Sequence, residues 1–173
     1  TFGPWMSCLW IENILNQEVS WGESFLSRGK REKLCLGEAM TPKSKKFNPA
    51  YAKSLLKIAE GDLESAKILA NSKKGRPENI FFIAQQSIEK SLKSVLVHFK
   101  KNVPLTHDLE AIISILPEEI SPPLGHDSIE GLSEFATVRR YEEGYLEITQ
   151  EEIKAAIQVA ERFFKWAEQQ ISK

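Results

Sequence analysis

The stretch from Phe81 to Leu109 constrains the fold of this chain more than any other segment. Its apolar residues recur at intervals of three and four, as on one side of a helix, and are Phe81, Ala84, Ile88, Leu92, Val95, Leu96 and Phe99. A stripe with that period predicts a long helix with one buried side. The basic run Lys100–Lys101 and then Pro104 predict where the helix ends.

Capping residues predict the other helix boundaries. Asn48–Pro49 offers an N-cap acceptor followed by a proline at the first helical position, and Pro77 marks another start. Thr149 followed by Glu152 has the spacing of a capping box. The predicted helices cover about 48–71, 78–101, 106–116 and 128–139, and a last one begins at Thr149.

The apolar positions of these segments all follow the helical period. They include Leu55, Ile58, Ala59, Leu63, Ala66 and Leu69 in the first helix, and Ile153, Ala156, Ile157, Ala160, Phe164, Ala167 and Ile171 in the last. No segment shows the alternation of a half-buried strand. The sequence therefore predicts an all-α fold, an antiparallel bundle of four main helices plus a short one.

Composition excludes several classes of protein. A net charge of −1 gives no overall attraction to nucleic acid or membrane. Cys8 and Cys35 lack the spacing of a zinc site or a disulfide framework, and the three histidines lack metal-ligand spacing. No apolar run is long enough to span a membrane, and no secretory signal opens the chain. These features predict a reduced, cytoplasmic protein without a metal or cofactor.

Composition also changes near residue 45. Trp5, Trp10 and Trp21 precede it, and Thr41 to Lys46 has the composition of a linker. We expect an N-terminal extension over residues 1–47 and a helical domain over 48–173. Met40 is an alternative start of the chain.

Four segments together carry a family resemblance. Gln85-Gln86 followed by Glu89-Lys90 lies in the long helix, and Thr106-His107 follows that helix. Residues 59–69 precede them, with an acidic residue about four positions before an alanine, and Arg140-Tyr141 precedes the last helix. In this order they resemble the HEPN domain (higher eukaryotes and prokaryotes nucleotide-binding domain), over roughly residues 48–173. The resemblance implies a helical bundle.

The first candidate site residues are Gln86, Glu89 and Lys90. Gln86 and Lys90 share one side of the helix, and Glu89 pairs favourably with Lys93 four residues later. The resemblance suggests that these groups line a cleft or meet a partner. An exposed face with an ordinary ion pair is the alternative.

Thr106 and His107 form the second candidate. An imidazole titrates near neutral pH and could transfer a proton or bind phosphate, here in the expected first turn of a helix. Alternatively, Thr106 caps the helix and His107 orients the turn.

Arg139, Arg140 and Tyr141 form the third candidate. The arginine fork matches phosphate and a tyrosine can stack on a base. The alternative is an arginine that pairs with Asp62, Glu142 or Glu143 and fixes a helix end.

The chain departs from the ribonuclease members of the family that it resembles. Those members carry an arginine followed, after four to six residues, by a histidine. No histidine follows Arg140 at that spacing, where Tyr145 stands, and no arginine precedes His98, His107 or His126 at it.

We therefore expect a non-catalytic HEPN domain that binds a nucleotide or nucleic acid, or that is the partner subunit of a minimal nucleotidyltransferase in a prokaryotic pair resembling a toxin–antitoxin system. A metal-independent endoribonuclease toxin with a degenerate site and a purely structural adaptor are the alternatives. The further aromatic residues Phe82, Phe163 and Trp166, together with Phe99 at the end of the stripe, offer more apolar surface than one small bundle needs and favour a homodimer.

Overall fold

The computed structural model describes residues 43–72, 76–124 and 148–172. It contains α1 (Tyr51–Ser72), α2 (Pro77–His98), α3 (Leu109–Ile113) and α4 (Gln150–Ile171), with β1 (Ser44–Lys45) and β2 (Val103–Pro104). The N-terminal extension up to residue 42 and the helix predicted over 128–139 lie outside these residues. The predicted all-α bundle is confirmed.

The predicted caps explain where the long helices begin. Asn48 Oδ1 accepts a hydrogen bond from Ala50 N at 3.0 Å just before α1. Pro77 is the first residue of α2. At α4 the capping box forms as predicted, since Thr149 Oγ1 accepts from Glu152 N at 3.2 Å and Glu152 Oε2 accepts from Thr149 N at 2.7 Å.

The long helix α2 is the centre of the bundle, packed against both α1 and α4. Two small residues, Ser87 of α2 and Ala59 of α1, meet where these helices pack together. Ser87 Oγ donates to the carbonyl oxygen of Ala59 at 2.8 Å. The buried core joins α1, α2, α3 and α4, and its largest fully buried side chains are Phe81, Phe163, Ile88, Leu92, Leu96, Leu109, Ile112, Val95 and Val97.

Two residues of the predicted stripes are exposed. Phe99 follows the last residue of α2 and is 37% exposed, and Ile58 of α1 is 45% exposed. Conversely, Phe163 and Trp166 are both buried in the core, where their rings meet edge to face. Phe163 and Trp166, two of the four aromatics behind the homodimer prediction, are thus part of the core. The homodimer stays a prediction.

The end of α2 is a Schellman motif with lysine at the position that usually holds glycine. Lys100 has a φ of 57°, Lys100 N donates to the Val97 oxygen at 3.0 Å, and Lys101 N donates to the Leu96 oxygen at 2.9 Å. These two bonds define the motif. The helix therefore ends at His98, three residues earlier than predicted.

A two-stranded ribbon follows this turn and was not predicted. Ser44 pairs with Pro104 and Lys45 with Val103, antiparallel, and Leu105 N donates to the Lys43 oxygen at 2.8 Å. The segment expected to be a linker thus pairs with the chain after α2. Two-residue strands are too short to show the alternation by which strands are recognised.

None of the helices in the described residues is both long enough and apolar enough to cross a bilayer.

Candidate functional site

A network of polar contacts runs along one side of α2. Gln86, Glu89, Lys90 and Lys93 share that side because they are three or four residues apart. Lys90 Nζ lies 2.7 Å from Asp62 Oδ2 of α1 and donates to Gln86 Oε1 at 3.0 Å. The ammonium of Lys90 therefore fastens this side of α2 to α1.

Glu89 is the centre of this network of contacts, and its side chain is only 5% exposed. Lys93 Nζ donates to its Oε1 at 2.8 Å, and Gln86 Nε2 donates to its Oε2 at 3.3 Å. His107 Nδ1 lies 3.0 Å from the same Oε2. A buried carboxylate needs charged and hydrogen-bonding partners, and three side chains supply them here. The alternative of an exposed ordinary ion pair is thus wrong for Glu89, while the predicted pairing with Lys93 is confirmed.

The turn before α3 is held by a second set of bonds. Lys93 Nζ donates to the backbone oxygen of Thr106 at 2.8 Å, which ties this turn to α2. The N-cap of α3 is Asp108, whose Oδ1 accepts from Glu110 N at 3.0 Å and Ala111 N at 3.3 Å. Thr106 Oγ1 accepts from Asp108 N at 3.1 Å.

Two expectations for this turn are wrong as a result. Thr106 does not cap the helix, because the cap is two residues later. His107 precedes the cap and so does not lie in the first turn of α3, which spans only Leu109–Ile113. His107 is therefore not placed to gain anion binding from the N–H groups of α3.

The imidazole of His107 is held at one nitrogen and open at the other. The side chain is 81% exposed although its Nδ1 contacts the buried Glu89. Among the described residues, Nε2 has no hydrogen-bond partner. A neutral ring that donates from Nδ1 to the carboxylate presents Nε2 as an acceptor, and a protonated ring presents it as a donor.

The cluster formed by these contacts consists of Asp62, Gln86, Glu89, Lys90, Lys93 and His107. Its formal charges cancel when His107 is neutral. The carboxylates of Asp62 and Glu89 are matched by the ammonium groups of Lys90 and Lys93. Both lysines already contact an acid, so neither offers a free positive charge. The imidazole of His107, which is exposed, is the part of the cluster that a ligand could reach from the outer surface.

The structure brings together five of the residues predicted for the site: Gln86, Glu89, Lys90, Thr106 and His107. Arg139, Arg140 and Tyr141 lie outside the described residues, and Asp62, which we considered as a partner for the arginine, contacts Lys90.

Two residues that organise the cluster were not predicted as site residues. Lys93 could have been found from its spacing to Glu89. Asp62 carries no local signal, because 28 positions separate it from Lys90.

Comparison with known proteins gives a family and a fold. The family model of the HEPN domain matches residues 52–170. A crystal structure of TT1696 from Thermus thermophilus is similar, with a TM-score of 0.58 and 22% identity, over 69% of this chain and 98% of that one. At this identity the likeness concerns the fold alone. No curated protein matches the chain.

Proposed function

The chain belongs to the HEPN domain family, and from that premise we propose that it is a non-catalytic member that binds a nucleotide or nucleic acid at His107. The observation that carries the proposal is the 3.0 Å contact between His107 Nδ1 and the buried Glu89. It fixes the ring to α2 and leaves Nε2 open toward solvent.

A phosphate oxygen suits this arrangement. As the imidazolium, His107 donates a charged hydrogen bond from Nε2, and such bonds are shorter and stronger than neutral ones. On the other side of the ring, Nδ1 lies 3.0 Å from the carboxylate of Glu89, which holds the imidazole in place. Because both lysines are already matched with acids, His107 is the group expected to contact the phosphate.

The absence of a catalytic pair in the sequence supports the non-catalytic part of the proposal. Phosphodiester cleavage without a metal needs a group that holds the phosphate beside the group that moves the proton. No arginine stands four to six residues before His107, and the nearby lysines are engaged with Asp62 and Glu89.

The ribonuclease alternative has one observation in its favour. A carboxylate that orients an imidazole through Nδ1 is also the arrangement that prepares a histidine for acid–base catalysis. If the protein cleaves RNA, His107 is the expected proton carrier and Glu89 the residue that positions it.

The partner role beside a minimal nucleotidyltransferase is part of the same proposal and comes from the family resemblance. A gene for a small nucleotidyltransferase next to this one, and co-purification of the two products, would support it.

Thermal unfolding with added ATP or a short RNA tests ligand binding. A ligand that binds only the native state at one hundred times its Kd adds about 2.7 kcal/mol to the free energy of unfolding. We expect ATP or RNA to raise the Tm of the wild type, and His107→Ala to remove most of that rise.

His98→Ala is the matched control, since His98 ends α2 and its ring contacts Phe99 instead of the cluster. An equal rise in both variants would contradict the site. RNA cleavage by the wild type that His107→Ala abolishes would establish the ribonuclease alternative.

A further inference from the structure

The unpredicted ribbon gathers lysines at one end of the bundle. Lys43, Lys45 and Lys46 lie in and around β1, and Lys100 and Lys101 are separated by Asn102 from β2, its pairing partner. We call these five lysines the basic ribbon. It stands where α1 begins and α2 ends, because the two helices are antiparallel.

The basic ribbon has no nearby acidic residue in sequence to neutralise it. No Asp or Glu occurs between Lys43 and Ala59, or between Lys90 and His107. All five lysines are exposed, and within residues 43–72, 76–124 and 148–172 none of them forms an ion pair. The ribbon is thus a local positive patch on a protein whose net charge is −1.

Aromatic rings lie among these lysines. Phe47 stacks on Tyr51 with ring centroids 5.3 Å apart and an interplanar angle of 16°. Lys45 Nζ lies 5.2 Å from the centroid of the Phe47 ring. Tyr51 is 38% exposed, and Phe99, next to Lys100, is 37% exposed.

From this arrangement we infer that the basic ribbon, with Tyr51 and Phe99, binds single-stranded nucleic acid. Lysines that lack acidic partners contact phosphates and release their counterions, while exposed rings stack on bases. A single strand fits better than a duplex, because duplex bases are stacked on one another and cannot reach the rings.

The inference rests on the proposed function, since both take the ligand to be a nucleotide or nucleic acid, but it depends on different residues. β2 leads directly into Leu105, Thr106 and His107. A strand bound along the ribbon can therefore reach the imidazole of His107. A polynucleotide could therefore contact both the basic ribbon and His107, whereas a free nucleotide would contact His107 alone.

Fluorescence anisotropy with a labelled oligouridylate of about twelve nucleotides, over a range of salt concentrations, tests the inference. The test variant is Lys45→Gln/Lys46→Gln/Lys101→Gln. The control is Lys154→Gln/Arg162→Gln/Lys165→Gln, which removes the same charge from the exposed side of α4. Each phosphate contact on a single strand contributes about 0.7 to the slope of log K against log salt.

We expect the ribbon variant to bind more weakly and to reduce that slope by about two, for three contacts. The control variant is expected to keep the slope of the wild type. Tyr51→Leu should weaken binding about five-fold or more with an unchanged slope, because it removes stacking and no charge.

Three outcomes would overturn the inference: no binding of the oligonucleotide by the wild type, equal losses in the ribbon and control variants, or binding to phosphatidylserine vesicles in place of RNA. The proposed function is judged separately. If ATP still raises the Tm through His107 while the ribbon variant binds RNA normally, the His107 site stands and the ribbon does not.

Discussion

Glu89 Oε2 and His107 Nδ1 are 3.0 Å apart, although 18 positions separate the two residues. The contact joins a buried carboxylate of α2 to an exposed imidazole ring. It also fixes the turn before α3 against α2. The proposed binding and the stability of the fold therefore depend on some of the same atoms, and variants of Glu89 and Lys93 must separate the two effects.

Lys93→Met is expected to destabilise the fold. It removes the ammonium that contacts both Glu89 Oε1 and the Thr106 oxygen, each at 2.8 Å, and leaves a buried carboxylate with less compensation. Charged hydrogen bonds of this kind contribute about 1.5 to 3 kcal/mol. Urea unfolding measures the loss. Lys154→Met, an exposed change on α4, should stay within about 0.5 kcal/mol of the wild type, and an equal effect of the two would contradict the role of Lys93.

Ser87→Ala and Ser91→Ala are expected to differ although both serines are buried on α2. Ser87→Ala removes the 2.8 Å bond to Ala59 and should cost about 0.5 to 1.5 kcal/mol. Ser91 Oγ has no hydrogen-bond partner among the described residues, so its removal should leave stability equal or higher. Urea unfolding of both variants makes the comparison, and a larger loss for Ser91→Ala would contradict it.

Lys100→Gly is expected to stabilise the protein. Lys100 has a φ of 57°, where a β-carbon is strained and glycine is not. The gain should be about 0.5 to 1 kcal/mol after the greater unfolded-state entropy of glycine is counted. Lys101→Gly is the control. It should lower stability, since the residue does not have a positive φ. Chemical denaturation of both variants tests the pair, and a loss of stability in both would show that the turn is not strained.

Stability should fall at high pH through Lys67. Hydrogen bonds to Glu161 and then Glu64 raise the pKa of Lys67 above its ordinary 10.5, against a smaller effect of burial. Because the folded-state pKa is the higher one, the stabilisation is complete below about pH 10.5 and is lost as the pH rises through the folded-state value.

Lys67→Met tests this dependence. The difference in Tm between the wild type and the variant should be largest below pH 10.5 and should shrink as the pH rises above it. A difference that does not change with pH would mean that Lys67 acts through packing and not through its charge.

The sequence predicted the parts of the fold that depend on neighbouring residues. Asn48, Pro77 and the Thr149–Glu152 box act within one helical turn, and the buried stripe of α2 follows from a local period. The Schellman motif was missed because lysine stands where glycine would have signalled it. The ribbon was missed because Ser44 and Lys45 form a strand only through pairing with residues about sixty positions away.

In the site, too, local contacts could be predicted from the sequence and long-range contacts could not. The Glu89–Lys93 pair could be predicted from its spacing, but the burial of Glu89 depends on α1 and on the turn at Thr106. The Lys90–Asp62 and Glu89–His107 contacts cross 28 and 18 positions, distances at which no local pattern carries information. The cap of α3 was assigned to Thr106 because threonine and aspartate are both good caps, and the backbone geometry decides between them.

The most direct test of the account is the imidazole nitrogen spectrum of the protein during titration with ATP. The chain has only three histidines, so the signals of His107 can be assigned with single His→Ala variants. The account predicts that Nε2 of His107 shifts on binding while both nitrogens of His98 stay in place, and that Glu89→Gln weakens the response. No shift at His107, or equal shifts at His98 and His107, would contradict it.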